Sequence, residues 1–235
     1  MRAEKIRENY LQVLRDVAEV ASAAGRNPET VRVVAVTKYV DLADTRALVE
    51  AGCVDLGESR PQNVWEKAPQ LPPSVRWHLI GHLQRNKVRR TLPQVHLLHS
   101  LDSMRLTEEL TKEASSLDMS IGVLLEIRIA QDASKTGMAP EDATQWLERY
   151  VADERLRNRV RLQGLMGMSS LGADVSQVRR EFASLRTWME TWNQRYALAM
   201  TELSMGMSQD FAIAIAEGST VVRIGSRLFE GLPDA

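Results

Sequence analysis

Val31-Arg32-Val33-Val34-Ala35-Val36-Thr37-Lys38 is a short apolar run that ends in a lysine. Its length and its β-branched content read as a buried strand. A lysine at the end of such a strand must reach solvent, find a partner or release its proton. Desolvation lowers a lysine pKa, and a neutral amine attacks an aldehyde carbon. The ordinary alternative is that Lys38 snorkels out of the strand end with no chemical role. The run alone does not choose between the two.

Working outward, the same kind of run recurs. Upstream, Ile6, Tyr10, Val13, Leu14, Val17 and Ala21 share one face at helical spacing, and Gly25 and Pro28 stop that helix. Downstream, strand candidates lie at 54–56, 75–80, 95–99, 121–129, 160–166, 201–205 and 220–224. Helical patterns fall between them at 42–51, 61–68, 84–91, 141–152 and 175–195. Another helix starts near Asp102 as N-cap, and a short one has Ser208 as N-cap and Gly218 as its stop. Strands separated by helices must pair in parallel, because each return needs a crossover. Counting 31–37, there are eight strand candidates, seven of them followed by a helix. The pattern predicts an α/β protein, a (β/α)8 TIM barrel with an extra N-terminal helix, as one domain over residues 1–235. A doubly wound open sheet is the alternative. No G-x-G-x-x-G follows the first strand, which argues against its dinucleotide-binding version.

Composition narrows the function classes. Over 235 residues the formal net charge is -1, far from the basic footprint of a nucleic-acid binder. The local cluster Arg85, Lys87, Arg89 and Arg90 reads as a solvated helix face. Cys53 is the one cysteine, so no intrachain disulfide forms, and it is expected to be buried. There is no secretory leader pattern and no apolar run long enough to span a bilayer. The expectation is a cytoplasmic protein with neither a nucleic-acid nor a membrane partner, and no metal site is assigned. The ten methionines are read mainly as core filler.

In a barrel of this kind the active face is the C-terminal end of the strands. Lys38, Gly57-Glu58-Ser59-Arg60, Gly81-His82-Leu83-Gln84, Gly164–Ser170, Ser204–Ser208 and Arg223–Ser226 all fall at such ends. Barrels often hold phosphate in the loops after strands seven and eight. Glycines there let backbone N–H groups approach phosphate oxygens, and serine hydroxyls add donors. Ser204, Gly225 and Ser226 supply that set; the alternative is that Gly206 and Gly225 only permit tight turns. With a strand-end lysine, the combination suggests a phosphorylated aldehyde held at both ends.

The stretches VAVTKYV, LGESRPQN, WHLIGHLQRNK, SLDS, SKTG, GLMGMSS, LSMGMSQDFAIAIAEGSTVVRIG and RLFEG occur in this order between residues 33 and 231. In them the chain resembles the pyridoxal 5′-phosphate homeostasis protein family. The resemblance implies a barrel like the N-terminal domain of alanine racemase, with pyridoxal 5′-phosphate as an internal aldimine on Lys38. It implies that Ser204, Gly225 and Ser226 hold the phosphate and that Arg223 lies at the pyridine nitrogen. Met166 and Met205 pack against the ring or serve as core, and His82 makes a structural hydrogen bond near the site. Ser59 stands where the family usually has Asn. Glu126 and Arg128 replace Gln and Asn; both are expected to face the barrel interior and to pair with each other. Lys135 matches a lysine linked to cofactor handling, or is an exposed loop lysine. No catalytic residue is assigned. The second-domain tyrosine of alanine racemase has no counterpart, and strand alternation turns Tyr39 away from Lys38. The implied protein is a monomer that buffers the cofactor or delivers it to apo-enzymes. A monomeric amino-acid racemase or lyase is the alternative, and a cofactor-free lysine aldolase a third reading.

Overall fold

Helix α1 (Arg2–Ala23) buries Ile6, Tyr10, Val13, Val17 and Ala21, the face that helical spacing marks out. Leu14, expected on that face, lies at its edge and is 36% exposed. The computed structural model describes residues 1–130 and 136–232. Lys135 and its neighbour Ser134 therefore lie outside the described residues.

After α1 the chain alternates: β1 (Arg32–Val36), α2 (Leu42–Glu50), β2 (Asp55–Glu58), α3 (Pro61–Lys67), β3 (Arg76–Leu79), α4 (Val88–Thr91) and β4 (Leu97–Leu101). It continues through α5 (Met104–Ser116), β5 (Ile121–Glu126), α6 (Pro140–Ala152), α7 (Glu154–Arg159) and β6 (Val160–Met166). The last elements are α8 (Val175–Tyr196), β7 (Glu202–Met207), α9 (Phe211–Ala216) and β8 (Val221–Ile224). The strands close in chain order into one barrel, with β8 pairing back onto β1 and Ala35 opposite Ile224. Every pairing is parallel. This is the TIM barrel the alternation predicts.

Several boundaries differ for identifiable reasons. The apolar run 121–129 overshoots: β5 ends at Glu126, and Ile127 adds a backbone bond to the Met166 carbonyl and an isolated bridge to Met138. Asp102 is not the N-cap of α5. Ser103 is, with its hydroxyl accepting from the Leu106 N–H, while Asp102 bonds His82 instead. Ser208 is not the N-cap of α9 either; Asp210 occupies that position and Ser208 is engaged elsewhere. Helix α7 was not legible, because its short charged run buries only Leu156 and carries no periodic apolar face.

Two layers result. Between strands and helices lies a continuous apolar core that includes Leu56, Leu98, Leu125, Leu203, Met205, Phe182 and Ala214. Inside the barrel, Leu97, Leu124 and Met166 form a small apolar cluster with Met168 against them, and Val34, Val36 and Val221 are buried outside both clusters. Much of the remaining interior is polar, and that polarity leads to the site.

Candidate cofactor site

The β1–β8 pairing puts the residues after Val36 beside those after Ile224, so Lys38, Gly225 and Ser226 share the C-terminal rim. Lys38 lies two residues past the end of β1, in a turn, and is exposed. The desolvation expected of a strand-end lysine is therefore absent. Strand alternation does not extend to Tyr39 either. The Lys38 ammonium sits 4.8 Å from the centroid of the Tyr39 ring, which is itself 89% exposed. Among the described residues this amine makes no hydrogen bond or ion pair.

The turn that carries Lys38 is held from below. Lys67, the last residue of α3, buries its ammonium and donates to the carbonyls of Thr37 and Val40, each at 2.9 Å. It also donates to Glu58 Oε1 at 2.7 Å. The Thr37 hydroxyl donates to the same oxygen at 2.8 Å, and the Asn63 amide to Glu58 Oε2 at 3.0 Å. Glu58 and Thr37 are fully buried. A buried ion pair persists when its remaining lone pairs and protons are satisfied, as they are here.

At the other side of the rim, the Gly225 N–H donates to Ser208 Oγ at 3.3 Å. Ser226 is exposed and opens a short 3-10 turn, Ser226–Phe229. The two glycines singled out in the sequence part company. Gly206 has a φ of +91°, and a Cβ there would come within 2.5 Å of the Ala214 Cβ, so the turn itself demands glycine. At Gly225 φ is -123°, and a Cβ would meet nothing closer than Val36 at 3.5 Å. Nothing in the protein's own packing requires glycine at 225; an atom brought against it from outside would.

Ser204 departs from the expectation. It is buried inside the barrel rather than at the rim, and its hydroxyl is engaged on both sides. Arg223 Nη1 donates to its Oγ and to its carbonyl, both at 2.7 Å, and His99 Nδ1 lies 2.8 Å from the same Oγ. With Ser204 pointing inward, alternation along β7 turns Met205 outward, into the core beneath the helices. Met205 therefore does not line the barrel interior. Met166 does, beside Leu97 and Leu124.

Arg223 is 4% exposed, and its Nη2 donates to the Gly167 carbonyl at 3.1 Å. No carboxylate forms a salt bridge with it among the described residues. Burial pushes its pKa down to about 10, against the opposing charges of Asp210 and Glu126. Among the described residues, no acceptor takes the Arg223 Nε–H or its second Nη2–H. Behind Ser204 the polar interior continues: His99 Nε2 lies 2.9 Å from His78 Nδ1, and His78 Nε2 lies 2.9 Å from Asp55 Oδ1. Arg76 closes the line on Asp55 Oδ2 at 2.6 Å. Both imidazoles are fully buried, and burial lowers both pKa values, that of His99 strongly. Burial tends to raise the Asp55 carboxyl, but the bonds from His78 and Arg76 outweigh it and leave the pKa below its usual value. Asp55, His78 and His99 were missed in the sequence. Polar residues inside otherwise apolar strands, as in Trp77-His78-Leu79, were the available signal.

The other expected residues lie around the rim. His82 is exposed, with Nδ1 3.0 Å from Asp102 Oδ2, and the Gly81 carbonyl before it accepts from the Ser100 hydroxyl. Ser59 is half-buried, and its carbonyl lies where a Cβ on Gly81 would sit. Glu126 and Arg128 do not pair. Glu126 accepts from the Thr136 hydroxyl, while Arg128, beyond the end of β5, uses its backbone N–H on the Met138 carbonyl. Burial raises the Glu126 pKa despite that hydrogen bond.

Comparison with known proteins agrees with this fold. Residues 9–233 match the family model described as alanine racemase, N-terminal domain. The chain is 36% identical over 225 residues to the pyridoxal phosphate homeostasis protein of Pseudomonas aeruginosa, covering 95% of this chain and 94% of that one. It is 34% identical over 223 residues to the protein of the same description from Aquifex aeolicus, covering 94% and 96%. Among solved structures, PipY of Synechococcus elongatus with pyridoxal phosphate bound superposes with a TM-score of 0.79 at 34% identity, covering 91% of this chain and 99% of that one. An alanine racemase of Clostridium difficile, 15% identical, has a TM-score of 0.72 over 94% of this chain and 57% of its own, a likeness of fold alone.

Proposed function

The chain belongs to the pyridoxal phosphate homeostasis protein family, and from that premise we propose that it binds pyridoxal 5′-phosphate at the barrel rim and buffers or delivers it without catalysing a reaction. The residues present fit the cofactor. Among the described residues, no atom requires glycine at position 225, a buried arginine holds two unused donors, and Lys38 offers an amine with no hydrogen-bond partner. When bound, the cofactor supplies an aldehyde carbon open to an amine and a ring able to withdraw electrons.

The roles follow from the donors. Lys38 Nζ is the covalent anchor. Gly225 N–H, exchanging its bond to Ser208 Oγ for the phosphate, holds it together with the Ser226 and Ser208 hydroxyls; Ser208 serves in place of Ser204, whose hydroxyl is held by Arg223 and His99. Arg223 donates to the ring nitrogen and, being a donor only, keeps a proton off it. Met166 forms the floor, and Ser59 and His82 stand at the edge. Ser204 acts through Arg223, and Met205 supports the strand from outside.

The observation that carries this reading is the meeting, at the paired ends of β1 and β8, of a lysine amine with no hydrogen bond or ion pair among the described residues and a glycine–serine turn, in a chain 34% identical to a protein whose structure has pyridoxal phosphate bound. The recipients are apo-enzymes that use this cofactor, and the protein acts as a monomer in the cytoplasm. Its one cysteine is buried and suits a reducing compartment. No helix of the described residues is long and apolar enough to cross a membrane.

The racemase or lyase alternative needs a base on each ring face and a ring able to stabilise a carbanion. Tyr39 stands exposed beside Lys38, and an arginine at the ring nitrogen weakens the electron sink. The deciding experiment incubates the loaded protein with L-alanine and a panel of amino acids in heavy water, then with an apo-enzyme. Deuterium at Cα at the free-cofactor rate, with cofactor appearing in the apo-enzyme, is the expected result. Exchange many orders faster and dependent on Lys38 would replace this reading by the racemase.

A further inference from the structure

Asp55, His78, His99 and Ser204 form one unbroken line across the barrel interior to Arg223, with contacts of 2.7–2.9 Å. The line has two ends of fixed character. A guanidinium has donors and no acceptor, and an ionised carboxylate has acceptors and no donor. Each of the three groups between them, a hydroxyl and two neutral imidazoles, contributes one donated hydrogen to the line. Only one arrangement satisfies all four contacts. Arg223 Nη1 donates to Ser204 Oγ, the Ser204 hydroxyl to His99 Nδ1, His99 Nε2–H to His78 Nδ1, and His78 Nε2–H to Asp55 Oδ1.

A proton added to either imidazole breaks this order. An imidazolium has two N–H groups, so the neighbouring bond must reverse until His99 Nδ1–H points at Ser204. Ser204 Oγ would then receive two donors, and its own hydrogen would have no acceptor in the line. The new cation would also lie in a region already facing Arg32, Arg76 and Arg223, with the His96 ring 5.8 Å from that of His78. Arg76 fixes Asp55 from the other side and keeps it an acceptor.

We propose that Asp55, His78 and His99 are positioning residues which, through Ser204, lock Arg223 in the orientation that presents its free N–H donors to the ring nitrogen of the bound cofactor. Arg223 has no carboxylate salt bridge among the described residues. Its Nη1 is held by Ser204 alone, and the direction of the line keeps that oxygen an acceptor. The inference rests on the placement of the cofactor ring at Arg223 proposed above, but the direction of the line does not.

Two measurements separate them. The first needs no cofactor: 15N spectra of histidine-labelled protein, assigned with single-histidine variants. His78 and His99 should both be neutral Nε2–H tautomers and stay so as the pH falls past 6.5, the ordinary histidine value. An Nδ1–H tautomer at His99, or titration of either ring at the ordinary value, would overturn the chain. The second uses the loaded protein and compares His99→Leu with His99→Gln. Glutamine can both donate to His78 and accept from Ser204; leucine can do neither. His99→Leu should release Arg223, so that the visible band of the lysine-bound cofactor becomes pH-dependent and pyridoxal phosphate binds about tenfold more weakly, the fold-change that corresponds to one hydrogen bond. His99→Gln should keep the wild-type pH profile.

Should His99→Leu fail to fold, His78→Gln and His78→Leu repeat the comparison one link away. A folded leucine variant with a wild-type pH profile would refute the positioning role and leave the cofactor reading intact. Failure of the wild-type protein to bind pyridoxal phosphate would remove the ring from Arg223 and, with it, this role.

Discussion

Replacing Lys67 by methionine tests how the turn bearing Lys38 is held. The substitution keeps the aliphatic length and deletes the ammonium, with its bonds to the Thr37 and Val40 carbonyls and to Glu58. Glu58 is left fully buried, with the Thr37 hydroxyl and the Asn63 amide as its remaining partners among the described residues. Removing one member of a buried pair costs about 3–5 kcal/mol, because the other charge stays behind uncompensated. With a urea slope of about 3 kcal/mol/M, that lowers the unfolding midpoint by about 1–2 M. Glu58→Gln in the Lys67→Met background should recover a large part of the loss, because the stranded charge is gone. The same variant loosens the two carbonyls on either side of Lys38, so pyridoxal phosphate should attach to that lysine more slowly in protein that is still folded. A loss under about 1 kcal/mol, with no recovery in the double variant, would refute the claim that this pair organises the turn.

Two further outcomes follow from the geometry. Gly225→Ala should leave stability within about 0.5 kcal/mol, since its Cβ meets Val36 at an ordinary 3.5 Å and φ is -123°. It should nevertheless weaken pyridoxal phosphate binding in a titration; unchanged affinity would move the phosphate elsewhere. Stability should also fall on acidification. His78, His96 and His99 all have pKa values lowered by burial, so below about pH 6.5 the unfolded chain takes up protons that the folded chain refuses. Unfolding then consumes protons, and each such histidine steepens the loss by up to about 1.4 kcal/mol per pH unit until its folded pKa is reached. Denaturation midpoints measured between pH 7 and 5 check this, and a flat profile would contradict it.

The barrel was legible because strand and helix periods alternate cleanly, and parallel pairing follows from the connections rather than from any single residue. Ends were less legible. Ile127 and Ile129 continue the apolar run after β5 has ended, since burial against helices selects the same residues as burial in a sheet. Neighbouring polar residues compete for a cap: Ser103 rather than Asp102 caps α5, whereas α9 starts after Asp210 with no side-chain cap, the Asp210 carboxylate accepting from Met207 N–H and Ser169 instead. At the site, the rim residues stood out because glycines and serines cluster after strands seven and eight. The phase of β7 did not: alternation says that Ser204 and Met205 face opposite ways, but only the contact with His99 on β4 says which faces inward. The line from Asp55 to Arg223 was hidden for the same reason, since it joins five strands that are distant in sequence.

The most direct test of the cofactor site is where pyridoxal phosphate becomes fixed. The purified protein is saturated with the cofactor, its visible absorption recorded, and the sample reduced with borohydride, digested and mapped by mass spectrometry. The account predicts a visible band lost on reduction and the cofactor's mass fixed on the peptide carrying Lys38, with Lys38→Ala folded but free of any adduct at wild-type occupancy. A reduced adduct on another lysine at wild-type occupancy, or a Lys38→Ala variant that keeps the band, would contradict it.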